Sequence, residues 1–366
     1  MKMKAAVLRE FGKPLSLETI DIDDPGPGEV RVKIKATSLC HTDLEVIHGQ
    51  LNFPVPIVLG HEAAGTVERV GGGVTSVAVG DHVVLSWNPS CGRCFYCDQS
   101  QPILCEPFVE NGPKGGQFDG TTRLRSGETP IHNLMYMGSF AEYCVVPAQS
   151  AVPIPKDMPF DRACLLGCGV MTGVGAATRV AKVTFSASVA VFGCGAVGLS
   201  AVQGARLCGA KTIVAVDLDD RKLEIARQLG ATAVVNAATG DPVEFIRQAT
   251  NGRGADYVFE SAGSERAFRS TMEAVRPNGQ VVWLGKVNVQ QDVSFRWGSL
   301  MGEKRVVRSS YGGARPHQDF PALARSYLSG ELKLDELVTR NIRLEEINEG
   351  FDALASGDVI RSVITF

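Results

Sequence analysis

From residue 1 to about 150 the chain runs in short apolar stretches punctuated by Gly and Pro. Glu29-Val-Arg-Val-Lys-Ile-Lys35 alternates Val or Ile with charge, the period-two pattern of a half-buried strand. Gly65–Val70 and Asp81–Leu85 read as further strands. The texture changes near Thr172. From there to about Tyr311, apolar runs at Val189–Phe192, Thr212–Val216, Tyr257–Phe259 and Gln280–Leu284 alternate with helical segments such as Arg221–Leu229 and Phe268–Val275. That alternation predicts a parallel α/β sheet. The remainder, ending Arg361-Ser-Val-Ile-Thr-Phe366, returns to short elements, and there is no internal repeat or low-complexity tract. The expected division is 1–171 and 312–366 in one mostly-β domain, with 172–311 as the α/β domain between them.

Composition narrows the class. The chain has 366 residues, 44% of them hydrophobic, enough for about two domains with sizeable cores. Its formal net charge of -3 leaves no broad basic field to hold nucleic acid. Met1–Glu10 carries no apolar stretch of signal-peptide length, and no run approaches the roughly 18 apolar residues of a membrane span. Ten cysteines in such a chain fit a reducing cytoplasm, which is the expected location.

Those cysteines carry the first chemical signal. Cys91-Gly-Arg-Cys94-Phe-Tyr-Cys97 spaces three thiols at steps of three, and Cys105 follows eight residues later. Short spacers let neighbouring thiolates wrap one tetrahedral zinc, and four thiolates leave no open coordination position. Such a site folds a loop and does not run a reaction. Disulfide pairing is the bland alternative, and nothing in the sequence looks secreted.

A second signal lies at Gly193-Cys-Gly195-Ala196-Val197-Gly198, directly after the strand ending at Phe192 and before a helix. In Gly-x-Gly-x-x-Gly the first Gly permits the tight turn, the second lets a pyrophosphate approach the backbone, and the third packs helix on strand. The helix N-terminus then offers N–H groups to the phosphates. Asp217, at the end of the next strand and 19 residues past Gly198, can bind ribose hydroxyls and repel a 2′-phosphate, so NAD is expected over NADP. Lys222 fits a ribose contact and a solvated helix lysine about equally well.

Three further residues remain scattered: Cys40 in Cys40-His-Thr-Asp43, His61 in Gly60-His-Glu-Ala-Ala-Gly65, and Cys168 in Leu166-Gly-Cys-Gly169. Two thiolates and an imidazole would leave a fourth zinc position open. Spacing alone does not link them.

Together these motifs resemble the zinc-dependent alcohol dehydrogenases of the medium-chain dehydrogenase/reductase superfamily, over essentially the whole chain. Gly60-His61-Glu62-x-x-Gly65 followed by Gly71 and Val74 is similar to the family's zinc signature, and the order of motifs is kept. The resemblance implies an N-terminal GroES-like, mostly-β catalytic domain joined to a Rossmann coenzyme-binding domain, an α/β fold overall. It implies two zinc ions per chain: a catalytic one on Cys40, His61 and Cys168, and a structural one on Cys91, Cys94, Cys97 and Cys105. Glu62 and Asp43 would orient the ligands, and Arg361 and His41 would neutralise the coenzyme pyrophosphate. Val197 would press the nicotinamide ring toward the substrate, and Thr42 would pass on the alcohol proton. An ordinary N-cap hydroxyl is the bland reading of Thr42.

One departure concerns the proton relay. Where many relatives carry His five residues after the first cysteine ligand, this chain has Glu45. His48 is a candidate replacement, and a solvated histidine fits the sequence equally well. The segment 106–143, including Pro130-Ile-His132, has the length found in dimeric relatives, so a homodimer is expected. By resemblance Trp87, Leu51, Leu134 and Met135 line the substrate pocket, an apolar wall suited to primary, allylic, aromatic or medium-chain alcohols. Glutathione-dependent formaldehyde dehydrogenases are also similar, but they use an Arg and an acidic residue where this chain has Val109 and Leu51. A glutathione or other thiol adduct is therefore the alternative substrate. A zinc- and NAD-binding sensor without turnover is the alternative from another class.

Overall fold

The computed structural model describes residues 1–366, which form two compact units. Unit one comprises Met1–Cys168 and Arg315–Phe366, and unit two Gly169–Ala314. The expected boundaries shift by a few residues for a packing reason. Helix Gly169–Gly175 lies so close to helix Ala196–Leu207 that a Cβ at Gly173 would collide with the carbonyl of Val197.

Unit one is built from β1 (Lys2–Leu8), β2 (Ser16–Ile22), β3 (Glu29–Ser38), β4 (Ile57–Val58), β5 (Glu62–Val70), β6 (His82–Leu85), β7 (Leu124–Ser126), β8 (Thr129–Asn133), β9 (Tyr143–Pro147) and β10 (Ala151–Pro153). β1-β2-β7-β8-β4 close into a barrel. A second sheet runs β10-β6-β5-β3-β18-β17, with β9 also pairing β3; β17 spans Val338–Ile342 and β18 spans Arg361–Thr365. The alternation read in 29–35 holds only in part. Val30, Val32 and Ile34 face the core and Lys33 is exposed, but Arg31 on the other face is buried too, held by Asp24 and Glu68.

Unit two is a six-stranded parallel sheet in the order β13-β12-β11-β14-β15-β16. The strands are β11 (Ser188–Phe192), β12 (Thr212–Asp217), β13 (Ala233–Asn236), β14 (Ala255–Glu260), β15 (Val275–Trp283) and β16 (Arg305–Arg308). Helices Asp220–Leu229 and Glu265–Ala274 begin on side-chain caps from Asp219 and Ser264. The chain leaves β11 toward β12 and β13 on one side and later takes β14, β15 and β16 on the other. The switch point where a doubly wound sheet receives its ligand therefore lies between β11 and β14. No single helix is long and apolar enough to cross a membrane.

Candidate active site and metal centres

Neighbouring strands bring the scattered residues together. Glu62 opens β5 opposite Ser38 of β3, which also faces Val363 of β18. Cys40 therefore follows β3, His61 precedes β5 and Arg361 opens β18 at the same sheet end. The tight approach of the segments depends on glycine. At Gly60 (φ +93°) a Cβ would lie 2.6 Å from Ser139 Oγ, at Gly65 it would run into Lys33 O, and at Gly71 into Gly26 O. At Gly167, the residue before Cys168, it would fall 2.9 Å from Leu85 O.

The outcome is a compact ligand set. Cys40, His61, Glu62 and Cys168 each offer one ligand atom, and these atoms lie within 4.8 Å of one another. Asp43, wholly buried, organises the set. Its Oδ1 accepts from Gly60 N at 3.0 Å and from His61 Nδ1 at 3.2 Å, and its Oδ2 accepts from Cys40 N at 3.2 Å. With Nδ1 donating to Asp43, Nε2 is the nitrogen left to bind a cation, and it is buried and without a hydrogen-bond partner.

Electrostatics point the same way. A hydrogen bond from Cys168, helped by the nearby His61 and Arg361 charges, holds the Cys40 thiol well below its ordinary value despite burial. That shared proton, together with burial, drives Cys168 well above its own. Burial works against a charged His61, yet the negative charges of Asp43 and Cys40 raise it well above the usual imidazole value. Burial pushes Glu62 up to about 7, with Arg361 opposing. Two soft thiols sharing a proton, an orphaned imidazole nitrogen and a carboxylate oxygen without a partner form a donor set from which a zinc-type cation displaces protons.

The second thiol set is local. Cys91, Cys94, Cys97 and Cys105 place their sulfurs within 4.8 Å of one another, and Cys91 N donates to Cys105 Sγ at 3.3 Å. Desolvation works against the Cys94 thiolate, but backbone N–H groups of Cys97 and Glu106 bring its thiol down to about 7. Burial pushes Cys105 up to about 12.

In unit two the three turn glycines have separate tasks. Gly193 (φ +92°) sits where a Cβ would lie 2.7 Å from Ala262 N, and a Cβ at Gly198 would collide with Gly193 O. At Gly195, the N-cap of helix Ala196–Leu207, a Cβ would meet nothing within 4 Å, so the backbone is open to a ligand. Buried Ala196 and half-buried Val197 begin that helix. Asp217 Oδ2 accepts from Cys194 N at 2.6 Å, and its Oδ1 accepts from Leu218 N at 2.8 Å and Asp219 N at 3.0 Å. The carboxylate thus braces the glycine turn and the following turn together. Ser261, which sequence reasoning missed, latches the same turn by donating to Phe192 O and Gly193 O. No local motif marks it, since its partners are carbonyls of a neighbouring strand.

Residues 26–156 match the family model of the alcohol dehydrogenase GroES-like domain, and residues 196–329 that of the zinc-binding dehydrogenase. The S-(hydroxymethyl)glutathione dehydrogenase of Synechocystis sp. is 39% identical over 369 residues, spanning 100% of both chains. An Escherichia coli enzyme of the same description reaches the same identity and coverage. The chain belongs to the zinc-dependent alcohol dehydrogenases. Among solved family members, the alcohol dehydrogenase zinc-binding domain protein from Burkholderia ambifaria superposes with a TM-score of 0.96 at 36% identity, covering 100% of this chain and 99% of the other. The benzyl alcohol dehydrogenase from Acinetobacter calcoaceticus gives 0.95 at 35%, with the same coverage.

The structure also places the remaining residues expected at the site. Arg361, expected on the coenzyme pyrophosphate, is only 4% exposed, and its Nη2 donates to Glu62 Oε1 at 3.1 Å and lies 3.9 Å from Cys40 Sγ. The register of β18 on β3 brings this guanidinium beside the ligand set. Leu134, expected on the pocket wall, is a fully buried core residue packed in the cluster with Leu59 and Phe140. Leu51 and Met135 pack on that cluster from its partly buried edge. Trp87 instead packs on the cluster of Val30, Val83 and Leu85, with its ring 5.8 Å from that of Phe108. Helix His41–Ile47 carries exposed His41 and half-buried Thr42 in its first turn, and exposed His48 at its far end. Lys222 is half-buried near the start of helix Asp220–Leu229.

Proposed function

We propose that this alcohol dehydrogenase interconverts primary alcohols and aldehydes with NAD, using a catalytic zinc on Cys40, His61 and Cys168 and a structural zinc on Cys91, Cys94, Cys97 and Cys105. The observation that carries the reading is the buried, unpartnered His61 Nε2 among two thiols and a carboxylate. Zinc supplies Lewis acidity toward the alcohol or carbonyl oxygen, and the nicotinamide supplies the hydride acceptor. Asp43 keeps the His61 tautomer that presents Nε2, and the Glu62–Arg361 pair balances charge behind the thiolates. Thr42 takes the alcohol proton through its hydroxyl and passes it toward the coenzyme ribose, with His48 as a candidate exit to solvent. His41 and the N–H groups at Gly195 and Ala196 receive the pyrophosphate, Asp217 binds the ribose hydroxyls beside Lys222, and Val197 orients the nicotinamide ring.

For the substrate, the side chains favour an uncharged alcohol with an aromatic, allylic or medium-chain body. Trp87, Leu51 and Met135 are apolar, and Val109, 57% exposed, offers no anion contact. Each buried methylene contributes roughly 0.8 kcal/mol, so benzyl alcohol or hexanol should exceed ethanol in kcat/KM by about one to two orders of magnitude. The second reading is S-(hydroxymethyl)glutathione, and the curated relatives named above support it better than they support a simple alcohol. NADH formation at 340 nm on both substrate classes separates the two. Turnover of the adduct well above benzyl alcohol would overturn the uncharged-alcohol reading, and no turnover of either would favour a sensor. The long segment 106–143 supports a homodimer, checked by sedimentation, and the free cysteines support residence in a reducing cytoplasm.

A further inference from the structure

Glu260 is a wholly buried carboxylate at the C-terminal end of β14, in register with Phe192 of β11 on one side and Trp283 of β15 on the other. It therefore stands at the switch point, one residue across from the glycine turn. Its Oε1 accepts from Ala262 N at 2.9 Å and Gly263 N at 2.8 Å, which fixes the loop after β14. Its backbone carbonyl accepts from Leu284 N at 2.7 Å and Gly285 N at 3.0 Å, which fixes the loop after β15. A Cβ on Gly285 would collide with Oε2, and one on Gly263 would collide with Lys286 O, so the two loops pack through glycine with no slack. Oε2 itself is buried and has no partner. A fold does not need a half-satisfied carboxylate there to close a strand end, since burying it is costly. Burial pushes this carboxyl up to about 7 against the pull of the surrounding N–H groups, a perturbation typical of functional crevices.

We propose that Glu260 is a positioning residue for the coenzyme: its carboxyl locks the loops after β14 and β15 into the floor that receives the nicotinamide half of NAD. The assignment to that half follows from topology. The β11–β13 side carries the glycine turn and Asp217, and the dinucleotide crosses the switch point to the β14–β16 side. The inference rests on the NAD reading above.

The test compares NADH with ADP-ribose, which lacks nicotinamide, by fluorescence and calorimetric titration of the full-length protein. Glu260→Ala removes the acceptor of two N–H groups, so NADH binding and KM for NAD should weaken by about tenfold. ADP-ribose affinity and KM for the alcohol should stay within about threefold. Glu260→Gln keeps one accepting oxygen and should recover most of the NADH affinity. It also keeps the proposal testable if the alanine variant does not fold: the ratio of NADH to ADP-ribose affinity must then fall by a measurable twofold or more. Unchanged NADH binding in folded variants, or equal losses for NADH and ADP-ribose, would overturn the proposal. If the parent protein bound ADP-ribose but gained nothing from nicotinamide, both the NAD reading and this one would fall. If the parent bound and only the variants matched it, this inference alone would fall.

Discussion

Replacing Asp43 with Asn tests the metal centre most directly. Asp43 is buried and accepts three hydrogen bonds, from Cys40 N, Gly60 N and His61 Nδ1. Asn is nearly isosteric, so the cavity term is negligible. If the amide oxygen serves Gly60 and His61, the NH2 group faces the Cys40 N–H, donor against donor. A buried unsatisfied pair of that kind costs about 1–3 kcal/mol. If the amide turns over, its NH2 opposes Nδ1–H and favours the tautomer whose proton occupies Nε2. Either arrangement should weaken the catalytic metal by about 10–100-fold, or about 1.4–2.7 kcal/mol. The assay is a chelator titration with metal analysis on the parent and Asp43→Asn proteins. The variant should release its first zinc at about 10–100-fold lower chelator strength, with activity lost in step. The second zinc should hold as in the parent, because Cys91, Cys94, Cys97 and Cys105 form a separate set and the hydrogen bonds of Asp43 go to Cys40, Gly60 and His61. Release of both ions together, or parent-like retention with parent-like kcat, would refute the argument.

The other predictions address each remaining layer. Cys168→Ser should nearly abolish turnover yet leave NADH binding largely intact, whereas Cys97→Ser should lower solubility and melting temperature; like behaviour of the two would collapse the division into catalytic and structural zinc. Asp217→Gly should relax the preference for NAD over NADP, at a cost of on the order of 1–4 kcal/mol in NAD binding; equal kcat/KM for both coenzymes in the parent would contradict the assignment. Asp256, which accepts from Ser188 N, Ser188 Oγ and Arg276 Nε, has its carboxyl held below the ordinary 3.8 by these bonds in spite of burial. Its contribution is therefore complete above pH 3.8 and fades as pH falls through the depressed value, so Asp256→Asn should lower the melting temperature at pH 7 and converge with the parent in acid.

What could be read in advance follows from distance along the chain. The Cys91–Cys105 set was legible because all four thiols lie within one loop, where spacing is geometry. The glycine turn was legible for the same reason, and the roles of Gly193, Gly195 and Gly198 follow from contacts within a few residues of β11. Cys40, His61 and Cys168 come from three segments whose proximity depends on the register of β3, β5 and the segment before Cys168. No local pattern encodes that, and only family resemblance linked them. The place of Arg361 beside Glu62 is decided by which strand β18 joins, which no local pattern encodes. The full burial of Leu134 is not legible either, because an apolar residue reads alike whether it faces a ligand or the core. Glu260 and Ser261 went unnoticed because a single polar pair after an apolar strand looks like an ordinary loop start.

The contrast between a contiguous and a dispersed ligand set also dictates an order of events during synthesis. The four loop cysteines are all present once residue 105 has emerged, so that zinc can be captured while the unit around it is still incomplete. The open centre must wait for Cys168, and its balancing guanidinium arrives only with β18, which inserts between β3 and β17. Until then Cys40 and His61 face an unfinished sheet with an open edge. Metal shortage early in translation should therefore yield aggregated chains. Shortage after release should yield folded, inactive ones that zinc can rescue.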